Sequence, residues 1–269
     1  MTQTAVEATP TSGASHWLRV VRKEIAYEQL TYWRNLRAAI FTFLLPLIFL
    51  FAFGLPQKHN HDVLLGGLNF GDFFLPGMIA FGLMGACYTN LAITLAFRRQ
   101  TGQLLRRRAT PIPAPLLMGG VIGSCVIVAV ILMALTTVLG IVMLNVHTPT
   151  KIVALLVAVV VGAACFCSIG IAVQTLVKDA DSAPPLVNLP MMFLAFSSGT
   201  FFPINPNSGL AKFTNFFPVR HLNALFRPIF DPRVHGIGIA GHHLINLALW
   251  TVGAALFAAR RFKWAPSTI

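Results

Sequence analysis

Eight carboxylates are all the acid–base or cation-binding side-chain carboxyl oxygen this chain offers: Glu7, Glu24, Glu28, Asp62, Asp72, Asp179, Asp181 and Asp231. A carrier that runs on protons or sodium needs such a group at mid-depth in the membrane, where something must exchange charge. All eight fall outside the long apolar runs of the sequence, which counts against ion coupling. ATP chemistry is missing too. A phosphate-binding loop needs Gly-Lys before its Ser or Thr, and that dipeptide occurs nowhere. His242-His243 invites a metal, but neighbouring helical positions splay by about 100° and no nearby carboxylate completes a set. Cys165 and Cys167 point about 200° apart on a helix and cannot share an ion. With Cys87 and Cys125 they fall inside apolar runs and read as small buried residues. No metal site and no nucleophile–base cluster is expected, so the chain is not read as an enzyme. Energy for any work must come from another polypeptide.

The basic residues carry a different message. The net charge of +12 would suggest nucleic acid on a soluble surface. Here, however, five of the twenty Lys and Arg lie in the segment up to Arg37, five between Arg98 and Arg108, and three at the C-terminal end. Charge gathered beside apolar runs sets orientation in a membrane, and no nucleic-acid partner is expected.

These residues must be positioned by membrane helices. Apolar residues make up 56% of the 269 and charged residues only 10%, against roughly a quarter charged in soluble domains. Six apolar runs of spanning length, without the period-2 alternation of barrel strands, define an all-α integral membrane fold with no soluble domain. Residues 1–15 read as a disordered cytoplasmic tail without the apolar core of a signal peptide. Residues 16–37 form an amphipathic interfacial helix: Trp17, Leu18, Val21, Ile25, Tyr32 and Leu36 share one sector, with Arg19, Arg22, Lys23, Arg34 and Arg37 opposite. The spans are expected at 38–55, kinked at Pro46, then 73–97, 115–145, 152–177, 185–203 and 238–259. Segment 203–237 is too apolar for a free loop and too rich in proline for a span, so it reads as an extracellular re-entrant helical hairpin (204–236). An inside N-terminus puts fourteen Lys and Arg in the cytoplasm, counting Lys178, and six outside: Lys58, Lys151, Lys212, Arg220, Arg227 and Arg233. Both termini are therefore expected in the cytoplasm, with the protein in the plasma membrane.

The loop from Arg98 to Pro115 is where energy could enter. Gly102 to Ala109 can form a short helix with Leu104 and Leu105 among Arg106, Arg107 and Arg108, and Thr110-Pro111 ends it. Both leucines would seat in a partner's groove, leaving the arginines for lipid phosphates or the partner's acids. A substrate path through the bundle would be lined by polar residues within the spans: Tyr88, Asn90 and Thr94 in the second, with Thr89 beside them, and Asn188, Ser197 and Ser198 in the fifth. Gly119-x-x-x-Gly123 allows a close helix approach. Arg220, His221 and Arg227 give the outer rim positive character, suited to lipid headgroups or an anionic amphiphile leaving the membrane.

Two stretches resemble a known family. LPGMIAFGLMGACYTNLAITLAFRRQTGQLLRRRATPIPAPLLMGG (75–120) is similar to the signature region of the ABC type 2 membrane permeases, with Pro-Gly opening the second span and Arg-x-x-Gly-x-Leu followed by Thr-Pro after it. SSGTFFPINPNSGLAKFTNFFPVRHLNALFRPIFDP (197–232) resembles that family's Ser-Gly-x-x-Phe-Pro element and its extracellular hairpin. The resemblance implies a drug- or lipid-exporter permease. A second copy or a paralogous permease would complete the pathway, and two separate ATP-binding subunits would supply ATP and magnesium. Residues 98–110 would be the coupling helix, contacted through Arg98, Arg99, Gly102, Leu104, Leu105, Arg106, Arg107, Arg108, Thr110 and Pro111. The interfacial helix, with Trp17, Arg22, Lys23, Glu24 and Glu28, would be a second ATPase contact. Where the family often has acids beside the coupling glycine, this chain has Gln100 and Gln103, which implies a more acidic groove on the partner. A polysaccharide exporter and an ion-coupled carrier are the rival readings.

Overall fold

The computed structural model describes residues 14–57, 69–110, 112–149, 151–205, 207–234, 236, 238 and 240–265. Expectations for residues 1–13, Lys58, Asp62 and Pro111, and for the Arg37 side chain, lie outside it. Every regular element among the described residues is helical. Helix α1 (Ala14–Arg34) turns through 70° at Asn35 into α2 (Leu36–Phe49), which contains Pro46 and continues as a π-helical turn, Leu50–Gly54. Helices α3 (Phe70–Met84) and α4 (Asn90–Gln100) join through a π-helical turn, Gly85–Thr89, into one rod of 31 residues. After α5 (Gln103–Arg108) come α6 (Ala114–Leu144) and α7 (Ile152–Gln174). Helix α8 (Ala183–Ser197), the short α9 (Gly209–Thr214) and α10 (Pro218–Phe230), and α11 (Gly241–Arg261) complete the chain.

Among the described residues, four helices are long and apolar enough to cross a membrane: the α3–α4 rod, α6, α7 and α11. The bent α1–α2 pair raises this to five if it counts as one span. Helix α8 has only 15 residues, about 22 Å at 1.5 Å per residue, because Gly199 turns left-handed at φ +77 and stops it before the expected residue 203. The second span starts earlier than expected, at Phe70 rather than 73, and this draws Asp72 into a spanning helix. Asp72 is only 3% exposed, and its carboxylate accepts from the backbone N–H of His147 at 3.0 Å and contacts His147 Nδ1 at 3.0 Å. The expectation that every acid lies outside the spans is corrected there: the helix extends one turn further because its first-turn acid has a partner on the loop after α6.

Helix α3 is buried along its whole length and forms the centre of the fold. Its Gly77 carries the closest approach: a Cβ there would lie 2.1 Å from the Thr200 carbonyl oxygen. The Pro76-Gly77 pair and the Ser198-Gly199-Thr200 turn, far apart in sequence, are thus two halves of one contact. Asn223 Nδ2 donates to Thr200 Oγ1 at 2.7 Å, and Arg227 donates to the Gly199 carbonyl at 2.5 Å, tying α10 to the same turn. The middle of α1 packs on α6 through Glu24 and Ile25, while Trp17, Leu18 and Leu36 of the expected apolar sector stay exposed. A Cβ on Gly120 would meet Glu24 at 2.7 Å and one on Gly123 would meet Ile25 at 2.8 Å, whereas Gly119 has open space. The close-approach pair is therefore Gly120 and Gly123, because α1 crosses α6 on the face one residue beyond Gly119. On the far side, Ile245, Leu249, Val252 and Leu256 of α11 are exposed in a single stripe, which lipid satisfies and water does not.

Candidate functional site

The site is a cavity with a charged lock at one end. Gly102 adopts φ +69, a conformation glycine takes without steric cost, and this breaks the chain between α4 and α5. Arg98 and Arg99 consequently belong to the end of α4, not to the short coupling helix expected over 98–110. Both are buried. Arg98 Nη1 and Nη2 donate to Glu28 Oε1 and Oε2 at 2.9 and 2.7 Å, a bidentate pair. Arg99 donates to the carbonyl oxygens of Gln174 (3.4 Å), Val177 and Lys178 (3.2 Å), satisfying the end of α7. Gln100 Oε1 accepts from the Ala180 backbone N–H at 2.5 Å, so it positions the turn before α8.

The leucine pair on α5 divides. Leu104 is 2% exposed and belongs to the core, while Leu105 is 48% exposed. Adjacent positions on a helix face about 100° apart, so only one can face outward when the other packs inward. The expectation that both leucines face a partner is corrected: Leu104 is buried and Leu105 alone faces outward. Arg107 also turns inward, donating to Glu28 Oε1 at 2.5 Å and Glu24 Oε2 at 2.9 Å, with its guanidinium 4.8 Å from the centre of the Tyr27 ring. Arg106, Arg108 and Thr110 are exposed. Arg106 donates to the Thr101 carbonyl at 3.2 Å, and the Arg108 guanidinium lies 5.7 Å from the Trp264 ring centre. On α1, Trp17, Arg22 and Lys23 are exposed, whereas Glu24 and Glu28 are turned toward α5. Sequence reasoning placed the glutamates on the interfacial helix but missed their partners. The signal was there: Glu24 and Glu28 are one turn apart, with Glu28 inside the apolar sector and Glu24 at its edge, where acids need cations.

Beside this lock lies a cavity of about 800 Å³, walled by α1, α2, the α3–α4 rod, α6 and α8. Asn90, Thr94 and Asn188 line it, together with Thr31, Asn35, Thr42 and Thr89. Tyr88, Ser197 and Ser198 do not. The Tyr88 hydroxyl bonds the Val187 carbonyl oxygen at 3.2 Å, and the serines are buried in the turn against Gly77. The cavity stretches from Glu28, Arg98 and Gln103 to Phe81. Beyond Phe81 it is shut by aromatic packing around the fully buried Phe201, whose ring centre lies 5.3 Å from Phe81, 5.1 Å from Phe49 and 4.5 Å from Phe196. The result is an apolar chamber with amide and hydroxyl groups on its walls, shut at the Phe201 cluster.

The basic residues near the hairpin are largely occupied within the fold. Arg227 binds Gly199 and packs 4.4 Å from the Phe73 ring centre. His221 Nε2 meets the Asn215 carbonyl at 2.8 Å, so that nitrogen carries the proton; Nδ1 then accepts from His243 Nδ1 at 2.7 Å. Arg220 donates to Thr214 Oγ1 at 3.4 Å. Past α10, hydrogen bonds from Arg233 hold the Asp231 carboxyl below the usual carboxylate range. These residues are in large part internal ties, because α10 packs on α3 and α11 and buries one of its faces. Among the described residues no group of three or more His, Cys, Asp and Glu is arranged to hold a metal.

Long apolar helices with lipid-suited outer faces around such a chamber mark a multi-pass membrane protein. Residues 65–260 match the family model described as ABC-2 family transporter protein, and the chain belongs to that family. It is a membrane permease of an ABC transporter, a class that works with an ATP-binding subunit. No curated protein matches the chain closely enough to add to this.

Proposed function

We propose that this chain is the membrane-spanning half of an ATP-driven exporter that carries a hydrophobic or amphipathic substrate, such as a drug, lipid or glycolipid, outward across the plasma membrane. The observation that carries this reading is the 800 Å³ cavity beside α5, apolar for the most part but dotted with Asn and Thr side chains. Such a surface suits a greasy molecule with an uncharged polar portion. Exposed Phe41 and Leu44 on α2 and Leu189 and Phe193 on α8 belong to the helices that wall the cavity, which suits closure of the wall by a second permease, identical or paralogous. Six spans follow when the bent α1–α2 pair and the short α8 each cross, with α9 and α10 dipping into the outer leaflet as a re-entrant hairpin. The positive-inside count then puts α5 and both termini in the cytoplasm. Leu105, Arg106 and Arg108 form the outward face of α5 and dock on one of two ATP-binding subunits, which hold ATP and magnesium. ATP-driven closure of those subunits pushes α5 and turns the chamber outward.

Reconstitution with the co-purifying ATP-binding subunit should give ATP-dependent movement of a fluorescent lipid or drug across vesicles. Transport by the purified chain alone, driven by a proton or sodium gradient, would overturn the proposal.

A further inference from the structure

We infer that Glu28 is the relay through which movement of α5 reaches the cavity, a positioning role that rests on the permease reading above. Glu28 sits in α1, 4% exposed, with both carboxylate oxygens engaged. Arg98 takes Oε1 and Oε2 at 2.9 and 2.7 Å, and Arg107 takes Oε1 at 2.5 Å. Arg98 and Glu28 both line the cavity, while Arg107 belongs to α5. One carboxylate therefore joins the outward-facing helix to the cavity wall with no side chain between.

The joint is built to transmit rather than absorb displacement. Arg107 is held at three points on α1: Glu28, Glu24 at 2.9 Å and the Tyr27 ring. The two carboxylates and two guanidiniums cancel in charge, so the buried cluster needs no counter-ion from water. Charge-assisted bonds of this length resist stretching more than neutral ones do. Helix α1 in turn cannot slide freely, because Gly120 and Gly123 let it lie directly on α6. A push on α5 must then move α1 and the Arg98 end of α4 together, which changes the width of the cavity mouth.

Arg107→Met tests this with the least damage to the fold. Methionine keeps an apolar stem beside Tyr27, Glu28 keeps Arg98, and Glu24 is the more exposed of the two acids. The reporter is Thr94→Cys on the cavity wall, reacted with a water-soluble maleimide and read by mass on its own peptide, so the native cysteines do not interfere. The complex with its ATP-binding subunit is labelled nucleotide-free and again with nucleotide trapped. With Arg107 in place the labelling rate should differ between the two states by about fivefold or more, the scale of a typical coupling between sites. Arg107→Met should bring that ratio toward one while co-purification and ATP hydrolysis persist. Arg107→Lys, which restores a cation to Glu28, should recover part of it. A full ratio in Arg107→Met overturns the relay, as does loss of assembly or hydrolysis in step with the ratio, which would make Arg107 a docking or folding residue. No nucleotide-dependent change even with Arg107 present overturns the relay, and the exporter reading is then judged apart from it by ATP-dependent transport in the reconstituted complex.

Discussion

Leu104 and Leu105 are neighbours in sequence and face different surroundings: one fills the core beneath α5, the other stands half exposed between Arg106 and Arg108. Their substitutions should separate two effects that a double change would merge. Leu105→Asp should abolish co-purification with the ATP-binding subunit and leave the melting temperature of the purified permease unchanged. Leu104→Ala should instead destabilise the permease by about 2–5 kcal/mol, as for other buried leucines, seen as a lower melting temperature in detergent. Retained assembly in Leu105→Asp would refute the docking face. The sequence identified this loop correctly as basic, with leucines and a glycine break. It could not say which leucine faces out, because six residues of α5 are too few to show a period, and the deciding contacts come from distant residues of the core.

Elements meet here through backbone as much as through side chains. The Pro76-Gly77 step of α3 receives the Thr200 carbonyl, and α10 reinforces the same turn through Asn223 and Arg227. A methyl group at residue 77 would press on backbone, which has no rotamer to escape into. Gly77→Ala should therefore lower the yield of folded protein sharply, whereas Gly119→Ala, with nothing within 4 Å, should be neutral or stabilising by up to about 1 kcal/mol through helix propensity. Comparing the monodisperse fraction of the two variants on a sizing column checks this; equal yields would remove Gly77 from its structural role. Both motifs were visible in the sequence as separate signatures. Their contact was not, since no local pattern encodes a meeting between residues more than a hundred positions apart.

At the scale of the whole molecule, the bundle combines a lipid-suited exterior with a chamber that is closed at the Phe201 cluster and bordered by the charged lock at the other end. The proposed orientation makes a direct prediction. Arg108→Cys, exposed on α5, should react with a membrane-impermeant maleimide only after cells are permeabilised. Labelling in intact cells would invert the topology and take the ATPase-docking assignment with it.

The sequence by itself determined that this is a helical membrane protein and near where most helices run. Those properties follow from the lengths of apolar runs and the placement of charge, which lipid reads locally. The sequence also placed Glu24 and Glu28 on the amphipathic helix α1. Only the tertiary structure decided what they do there. It set them against Arg98 and Arg107, buried Leu104, moved Asp72 into a span, and chose Asn90, Thr94 and Asn188 over Tyr88, Ser197 and Ser198 for the cavity wall. Each of these depends on which helix face meets which neighbour, and inside an apolar bundle that is settled by close packing and by the demand that every buried charge find a partner.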